Sequence, residues 1–228
     1  MSEGKINIKK GDFIELKFTG YTNGEPFDSN IEEDLKKIDK EGKVKRMIVC
    51  VGEGMVVKGL DKEIEGKEVG KEYRITVQPK DAFGERRREL VRIIPLSVFS
   101  EKKINPRQGG VYVFDDAVAR VIAISGGRVT TDFNNPLSGK EIKYKFLIHK
   151  KVEDVKEKAD ALFESFLRFV PKFEVGEKII VKGRKELKMF VDAIKDKFKE
   201  LLGKEIEFIE EEAERIKKEI MKDQKEAQ

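Results

Sequence analysis

Tyr21-Thr-Asn-Gly-Glu-Pro-Phe-Asp-Ser29 and, further on, Gly52-Glu-Gly-Met-Val-Val-Lys-Gly-Leu60 are the stretches whose reading decides the fold. Just before the first, Ile14, Leu16 and Phe18 alternate with Glu15 and Lys17, the pattern of a half-buried strand. Taken alone, Phe27-Asp28 is a strand end running into a turn. The second stretch leads into a helix, because Val57, Leu60 and Ile64 share one helical face and Gly66 supplies a left-handed C-terminal cap. Gly52-Glu-Gly54 is a turn and not a phosphate loop, since no Gly-x-x-x-x-Gly-Lys-Ser/Thr run accompanies it.

Outward from there, Tyr73, Ile75 and Val77 alternate with polar residues, as do Ile142, Tyr144, Phe146 and Ile148, giving two more strands. Met47 to Val51 is a shorter, more continuously apolar strand. Asn30 with Glu33 three residues on has the spacing of a capping pair for a helix carrying Ile31, Leu35 and Ile38, stopped near Gly42.

Between these paired segments, residues 85–132 form a small β-rich unit. Leu90 to Ile94 is apolar, Pro95 opens a helical turn over Leu96 to Phe99, and Val111–Phe114 and Val118–Ile124 are strands. Gly126-Gly127 then joins Val118–Ile124 to Val129–Phe133 as a two-residue hairpin. From about residue 152 the period becomes helical. Val155, Ala159, Leu162, Phe163, Phe166 and Val170 form one stripe ended by Pro171. Ile179–Val181 is strand-like. Leu187 to Leu201 is a second amphipathic helix capped by Gly203, Ile206 and Phe208 a short strand, and Ile209, Ala213, Ile216 and Ile220 stripe a third helix.

Composition narrows the function classes. Charged residues reach 40%, but 48 Lys and Arg against 44 Asp and Glu leave a net charge of only +4, which reads as a solvated surface with no nucleic-acid footprint. Arg86–Arg87–Arg88 is flanked by Glu85 and Glu89 and has no stacking aromatics beside it. No apolar run approaches the ~18 residues of a membrane span. The first ten residues lack a hydrophobic signal region, so a cytoplasmic location is expected. One cysteine, Cys50, excludes an intrachain disulfide. The one histidine, His149, excludes a multi-histidine metal site. No metal and no cofactor is expected.

The apolar residues Tyr21, Phe27, Val56, Val57, Leu60, Phe83 and Tyr144, with the acid Asp28, stand in order within Tyr21-Thr-Asn-Gly24, Pro26-Phe-Asp-Ser29, Gly52 to Leu60 and Asp81-Ala-Phe-Gly84. This arrangement resembles the FKBP-type peptidyl-prolyl cis/trans isomerases. The insertion directly after Ala-Phe-Gly, closing on Asp132-Phe-Asn-Asn-Pro-Leu-Ser-Gly139, resembles the SlyD-like branch, and the further 77 residues resemble a long archaeal form.

The resemblance implies an α+β fold, an antiparallel sheet wrapped around a short helix. It implies a discontinuous isomerase domain at 1–84 and 133–151, an inserted flap domain at 85–132 and a C-terminal α+β domain at 152–228. It assigns Asp28, Tyr21 and Phe83 to catalysis and Phe27, Met47, Val56, Val57, Leu60 and Tyr144 to substrate binding. Leu60 stands where many members carry Trp, and Phe83 where many carry Tyr. These departures, with Met47 at an aromatic wall position, weigh against tight macrolide binding more than against isomerisation.

The partners expected are unfolded, proline-containing chains. They would be held by insert residues Ile93, Ile94, Leu96, Val98 and Phe99, which are too many apolar groups for so small a core. Phe163, Phe166 and Phe169 cannot all face one helix side, so self-association through the C-terminal domain is expected, a homodimer being the simplest form. The competing reading is a non-catalytic holdase with an idle proline pocket.

Overall fold

One-sided burial of alternating residues sets the strands in this structure, a computed structural model that describes residues 7–114 and 117–211. β1 (Phe13–Thr22) buries Ile14, Leu16 and Phe18 and is followed by β2 (Glu25–Ser29). Then come α1 (Glu32–Ile38), β3 (Met47–Cys50), α2 (Lys58–Ile64) and β4 (Glu72–Val77). The next elements are β5 (Val91–Pro95), α3 (Leu96–Glu101), β6 (Val111–Phe114), β7 (Ala117–Ser125) and β8 (Arg128–Asp132). The chain continues through β9 (Ile142–Lys151), α4 (Val155–Leu167), β10 (Lys172–Val175), β11 (Ile179–Gly183), α5 (Leu187–Leu202) and β12 (Ile206–Glu210).

These elements fall into two compact units. One comprises the described residues up to Gly20, Pro26–Ile75 and those from Tyr144 on; the other comprises Tyr21–Glu25 and Thr76–Lys143.

In the first unit the sheet runs β2-β1-β9-β4, and β3 pairs antiparallel with β1, Ile14 opposite Val49 and Leu16 opposite Met47. A second sheet, β10-β11-β12, is mixed. β10 and β11 are antiparallel, while β11 and β12 are parallel, with α5 lying between them in the chain. Its core does not stand apart from the first sheet. Phe13 and Cys50 share one buried cluster with Leu162, Phe163, Val181 and Phe198, and the Phe163 and Phe198 rings lie 4.6 Å apart. Arg46 adds a polar tie, its Nε donating to Glu15 at 2.7 Å and its two terminal nitrogens to Glu157 at 2.8 and 2.9 Å.

The second unit is a four-stranded antiparallel sheet, β5-β8-β7-β6, with α3 closing its inner face. Fully buried Phe99 is the hub, edge-on to Phe114 at 4.9 Å and to Tyr112 at 5.9 Å. Gly126 and Gly127 both have positive φ, 57° and 75°, as a tight hairpin matched to strand twist requires. Arg86 pairs with Asp132 at 2.7 Å, so the first arginine of the basic run is committed to an internal ion pair.

Four expectations need correction, and one strand was not foreseen. Asn30 does not cap α1: the N-cap is Ile31, without a side-chain cap, and the Asn30 amide is occupied by β1. α4 ends at Leu167, where Arg168 turns left-handed (φ 66°), so Pro171 is not the stop and exposed Val170 lies outside the stripe. β10 carries too little alternation to be seen in the sequence, burying Phe173 only in part. Ile209 belongs to β12; the rest of the third helical stripe, Ala213, Ile216 and Ile220, lies outside the described residues. Of the five insert residues expected to face clients, Phe99 is buried, three are half-buried and only Ile93 is exposed, because α3 folds its apolar side onto the sheet.

Candidate active site

Phe27 and Asp28 sit on β2 and Tyr144 on β9, with β1 between the two strands. The Phe27 and Tyr144 rings meet edge to face at 6.4 Å, and Phe18 approaches Tyr144 at 6.2 Å. β1 contributes Gly20 at this crossing, where a Cβ would lie 2.7 Å from the Phe27 ring and 3.0 Å from that of Tyr144. The two aromatics therefore close over a residue where any side chain would have to push a ring aside.

Polar side chains fix where β2 delivers Phe27 and Asp28. Asn30 imitates a strand residue: its side-chain oxygen accepts from Phe18 N–H at 2.7 Å and its NH₂ donates to Leu16 O at 2.7 Å. Buried Ser29 and Thr19 share a hydrogen bond of 2.9 Å, and Thr19 also donates to Asp34 of α1 at 2.9 Å. Satisfied polar groups at this depth hold one geometry, since breaking any of them strands another.

Asp28 is exposed as a residue, yet partial burial of its carboxyl raises its pKa, against the opposing hydrogen bond from the Ser29 backbone. Buried Tyr144 is pushed up to about 12, by desolvation first and by the Asp28 charge second. Asp28 and the Tyr144 hydroxyl thus feel one another across a poorly hydrated surface.

The loop ahead of α2 is built on a buried acid. Asp61 accepts from the N–H groups of Gly52 at 2.8 Å and Gly54 at 2.9 Å, and both glycines have positive φ. This loop positions half-buried Val56 and Val57, and Val57 is the N-cap of α2. An N–H at that position has no intrahelical acceptor. Leu60 is 2% exposed, a core residue on its helix face. Val56 faces a separate hollow with Gly52, Gly54 and Lys58. Met47 and Asp28 line one cleft of about 640 Å³, which also includes Met55 and one face of α4.

Tyr21 and Phe83 belong to the second unit. Both are half-buried, and the Phe83 carbonyl accepts from Ser138 Oγ at 3.0 Å. In the first unit, then, Phe27, Asp28 and Tyr144 come together, Met47 joins Asp28 along the cleft, and Val57 and Leu60 stand on α2. Sequence reasoning missed the residues that do the positioning, namely Gly20, Thr19, Ser29, Asn30 and Asp61. A glycine within an alternating strand was the one available signal.

Other chemistry finds little support. Burial pushes the Cys50 thiol up to about 12, so it is no nucleophile at neutral pH. Among the described residues no group of three His, Cys, Asp or Glu is placed to hold a metal ion, and no helix is long and apolar enough to cross a membrane.

Comparison with known proteins gives concordant results. The family model for FKBP-type peptidyl-prolyl cis-trans isomerase matches residues 4–99, and one described as FKBP26, IF domain, matches residues 92–137. A short-type peptidyl-prolyl cis-trans isomerase of Methanocaldococcus jannaschii is 31% identical over 151 residues, 65% of this chain and 94% of that protein. The isomerase SlyD of Vibrio cholerae is 28% identical over 98 residues, 41% of this chain and 48% of its own length. A probable FKBP-type 16 kDa isomerase of Pseudomonas fluorescens is 31% identical over 99 residues, 41% of this chain and 65% of that one.

Proposed function

The chain belongs to the FKBP-type peptidyl-prolyl cis-trans isomerases, and on that premise we propose that it turns X–Pro bonds on the surface around Phe27, Asp28 and Tyr144 while the insert holds unfolded clients. Rotation about the peptide bond meets a barrier of ~18–20 kcal/mol because resonance stiffens C–N. X–Pro populates both isomers and exchanges in tens to hundreds of seconds. No nucleophile or general base is required; the enzyme has to bind the twisted amide more tightly than the planar one. A thousandfold acceleration needs only about 4 kcal/mol of that difference.

The twisted imide has lost its conjugation and is less polar, so an apolar, poorly hydrated surface favours it over the planar form. Phe27, Tyr144 and the α2 start at Val57 offer such a surface, with the Val57 N–H as donor to a substrate carbonyl and Leu60 as support beneath. Asp28 works at the rim, orienting the rotating carbonyl region through its charge. Met47 extends the apolar lining along the cleft, and Val56, Tyr21 and Phe83 are assigned on their sequence motifs, Val56 despite facing the separate hollow. The observation that carries the reading is the Phe27–Tyr144 pair closed over Gly20, with the raised Asp28 carboxyl beside it.

The client-holding part rests on the outward face of the insert sheet, where Ile93, Val111, Val113, Val118 and Ile122 are exposed. A face of that kind accepts unfolded segments with little sequence preference, and tethering them raises their concentration near the isomerase. The division into an isomerase domain at 1–84 and 133–151, an insert at 85–132 and a C-terminal domain from 152 belongs to the same proposal, as does a cytoplasmic location. Self-association through the C-terminal domain is supported by exposed Phe169, Val170, Met189 and Phe190.

The deciding measurement is exchange NMR on a short prolyl peptide. Asp28→Ala should slow the catalysed exchange while leaving the unfolding midpoint in place. A chain that never accelerates exchange, yet still suppresses client aggregation, is a holdase with an idle pocket.

A further inference from the structure

The cleft that Asp28 and Met47 share extends beyond any cup for a single proline ring. Its far wall is one face of α4: Glu157, Asp160, Ala161, Glu164, Ser165 and Arg168 all line it, at the three- and four-residue spacing of a single helical side. From Glu157 to Arg168 that wall is ~16 Å long at 1.5 Å per residue. A chain laid along it in extended form spans about five residues. Met47, Ile48 and Met55 form the apolar lining, and flexible thioethers adapt to different side chains.

This wall is fixed. α4 shares a buried core with Phe13 and Cys50 of the first sheet, and the Arg46 fork clamps Glu157 to Glu15. The C-terminal segment thus builds a permanent side to the cleft beginning at Asp28.

The charges on the cleft are unequal in kind. Glu157 is satisfied by Arg46. Asp28, Asp160 and Glu164 have no ion-pair partner among the described residues. Asp160 is half-buried on the rigid helix; burial raises its pKa, Lys156 opposes this, and Asp154 and Glu157 reinforce it. Across the cleft, Lys43 and Lys45 are exposed on a segment without regular structure, where flexible, hydrated ammonium groups gain little from a partner. A cation arriving from a ligand therefore gains most at the α4 wall, where Asp160 is held in place and partly dehydrated and exposed Glu164 stands one turn on, Arg168 at the far end of the wall being exposed as well.

We propose that this cleft is an extended subsite for the client polypeptide flanking the proline, selecting a basic side chain within about five residues of it through Asp160 and Glu164. The inference rests on the isomerase reading, since the cleft continues the surface at Asp28. It assigns α4 a specificity role in the known reaction.

The test uses the full chain and prolyl peptides with about six residues on each side of the proline, a single lysine being moved through the flanks of an otherwise Ala/Gly background. Dissociation constants come from titration calorimetry, exchange rates from NMR, and a prolyl tetrapeptide too short to reach α4 serves as the reference in each protein. At one or more positions lysine should bind about tenfold more tightly than alanine, and the double variant Asp160→Asn/Glu164→Gln should bring that ratio close to one. Equal affinity for lysine and alanine at every position, a glutamate scan giving the tighter binders, or a lysine preference that survives the double variant would each overturn the proposal. An inactive tetrapeptide would defeat the isomerase reading instead, while the binding ratios would still decide for or against the subsite.

Discussion

A β-carbon on Gly20 would stand 2.7 Å from Cζ of Phe27, closer than packed carbon atoms approach. β1 therefore runs directly beneath the Phe27 ring, and the height of the ring above the sheet is set by a missing methyl group. Gly20→Ala would lift Phe27 and tilt its edge-to-face contact with Tyr144. Overpacking of this kind costs about 1–2 kcal/mol, while displacing a substrate wall by a fraction of an ångström costs about ten- to a hundredfold in rate. The alanine variant should remain folded by circular dichroism and lose most of its peptide exchange activity. A variant with normal activity would show that Phe27 does not form part of the proline surface.

Asp61 acts through backbone. Its two oxygens take the Gly52 and Gly54 amides, and the loop they hold delivers Val56 and Val57. Asp61→Ala leaves two part-buried donors seeking other partners. The expected loss is about 2–3 kcal/mol, read as a lower urea midpoint with an unchanged m-value. Activity should fall with it, and Asp61→Asn, which keeps one acceptor oxygen, should recover part of both.

Tyr144 gives a pH signature. Its folded pKa, about 12, stands above the ordinary 10 because burial disfavours the phenolate and the Asp28 charge disfavours it further. A tyrosine with a raised folded pKa contributes stability that is fully present below its unfolded pKa and is lost as pH rises through the folded one. The loss accordingly falls between about pH 10 and 12. Asp28→Asn removes the smaller of the two causes. In an ultraviolet titration one tyrosine should ionise late in the wild type and somewhat earlier in the variant, remaining above the ordinary value. No change on removing Asp28 would mean that the two groups are not coupled.

Most strands and α2 were legible because each buries one side: Ile14, Leu16 and Phe18, or Leu60 and Ile64, repeat at the period of the element they form, whereas β10 buries only Phe173 in part. Gly126-Gly127 announced its hairpin through the left-handed conformation it had to adopt. The parts that did not show are those in which a side chain does backbone work or a contact is distant in sequence. Asn30 looks like a helix cap and instead extends the edge of β1, two roles with the same chemistry. Asp61 looks like a solvent-facing helix residue until the Gly52 and Gly54 amides are seen to point at it. The shared core of Phe13 and Cys50 with α4 and α5 was hidden because each segment has an apolar face that its own neighbours could have covered. Of the candidate site, the order of Phe27, Asp28, Val57 and Tyr144 was readable, whereas the glycine beneath and the polar network behind were not.

The outward sheet face of the insert makes the last prediction. Val113 and Val118 are paired across β6 and β7 and are 61% and 57% exposed, so their methyls contribute little to the insert's own core. That core is Phe99, Phe114, Val121 and Val129 on the other face. Replacing both by threonine keeps the β-branched shape that strands favour and adds a hydroxyl that water can reach. Substitutions at such positions shift stability by about 0.5 kcal/mol or less. The double threonine variant should unfold at nearly the wild-type temperature and turn over a short prolyl peptide at the wild-type rate. It should also lose much of the suppression of light scattering by a heat-aggregating protein, and it should refold a proline-limited protein more slowly because clients are no longer concentrated near the isomerase. The contrast with Phe99→Ala is informative, since that change opens a cavity costing about 3–5 kcal/mol and loosens the whole insert. If the threonine pair holds clients as well as the wild type while Phe99→Ala does not, clients need the folded insert but bind elsewhere on it, and the open face has no part in holding them.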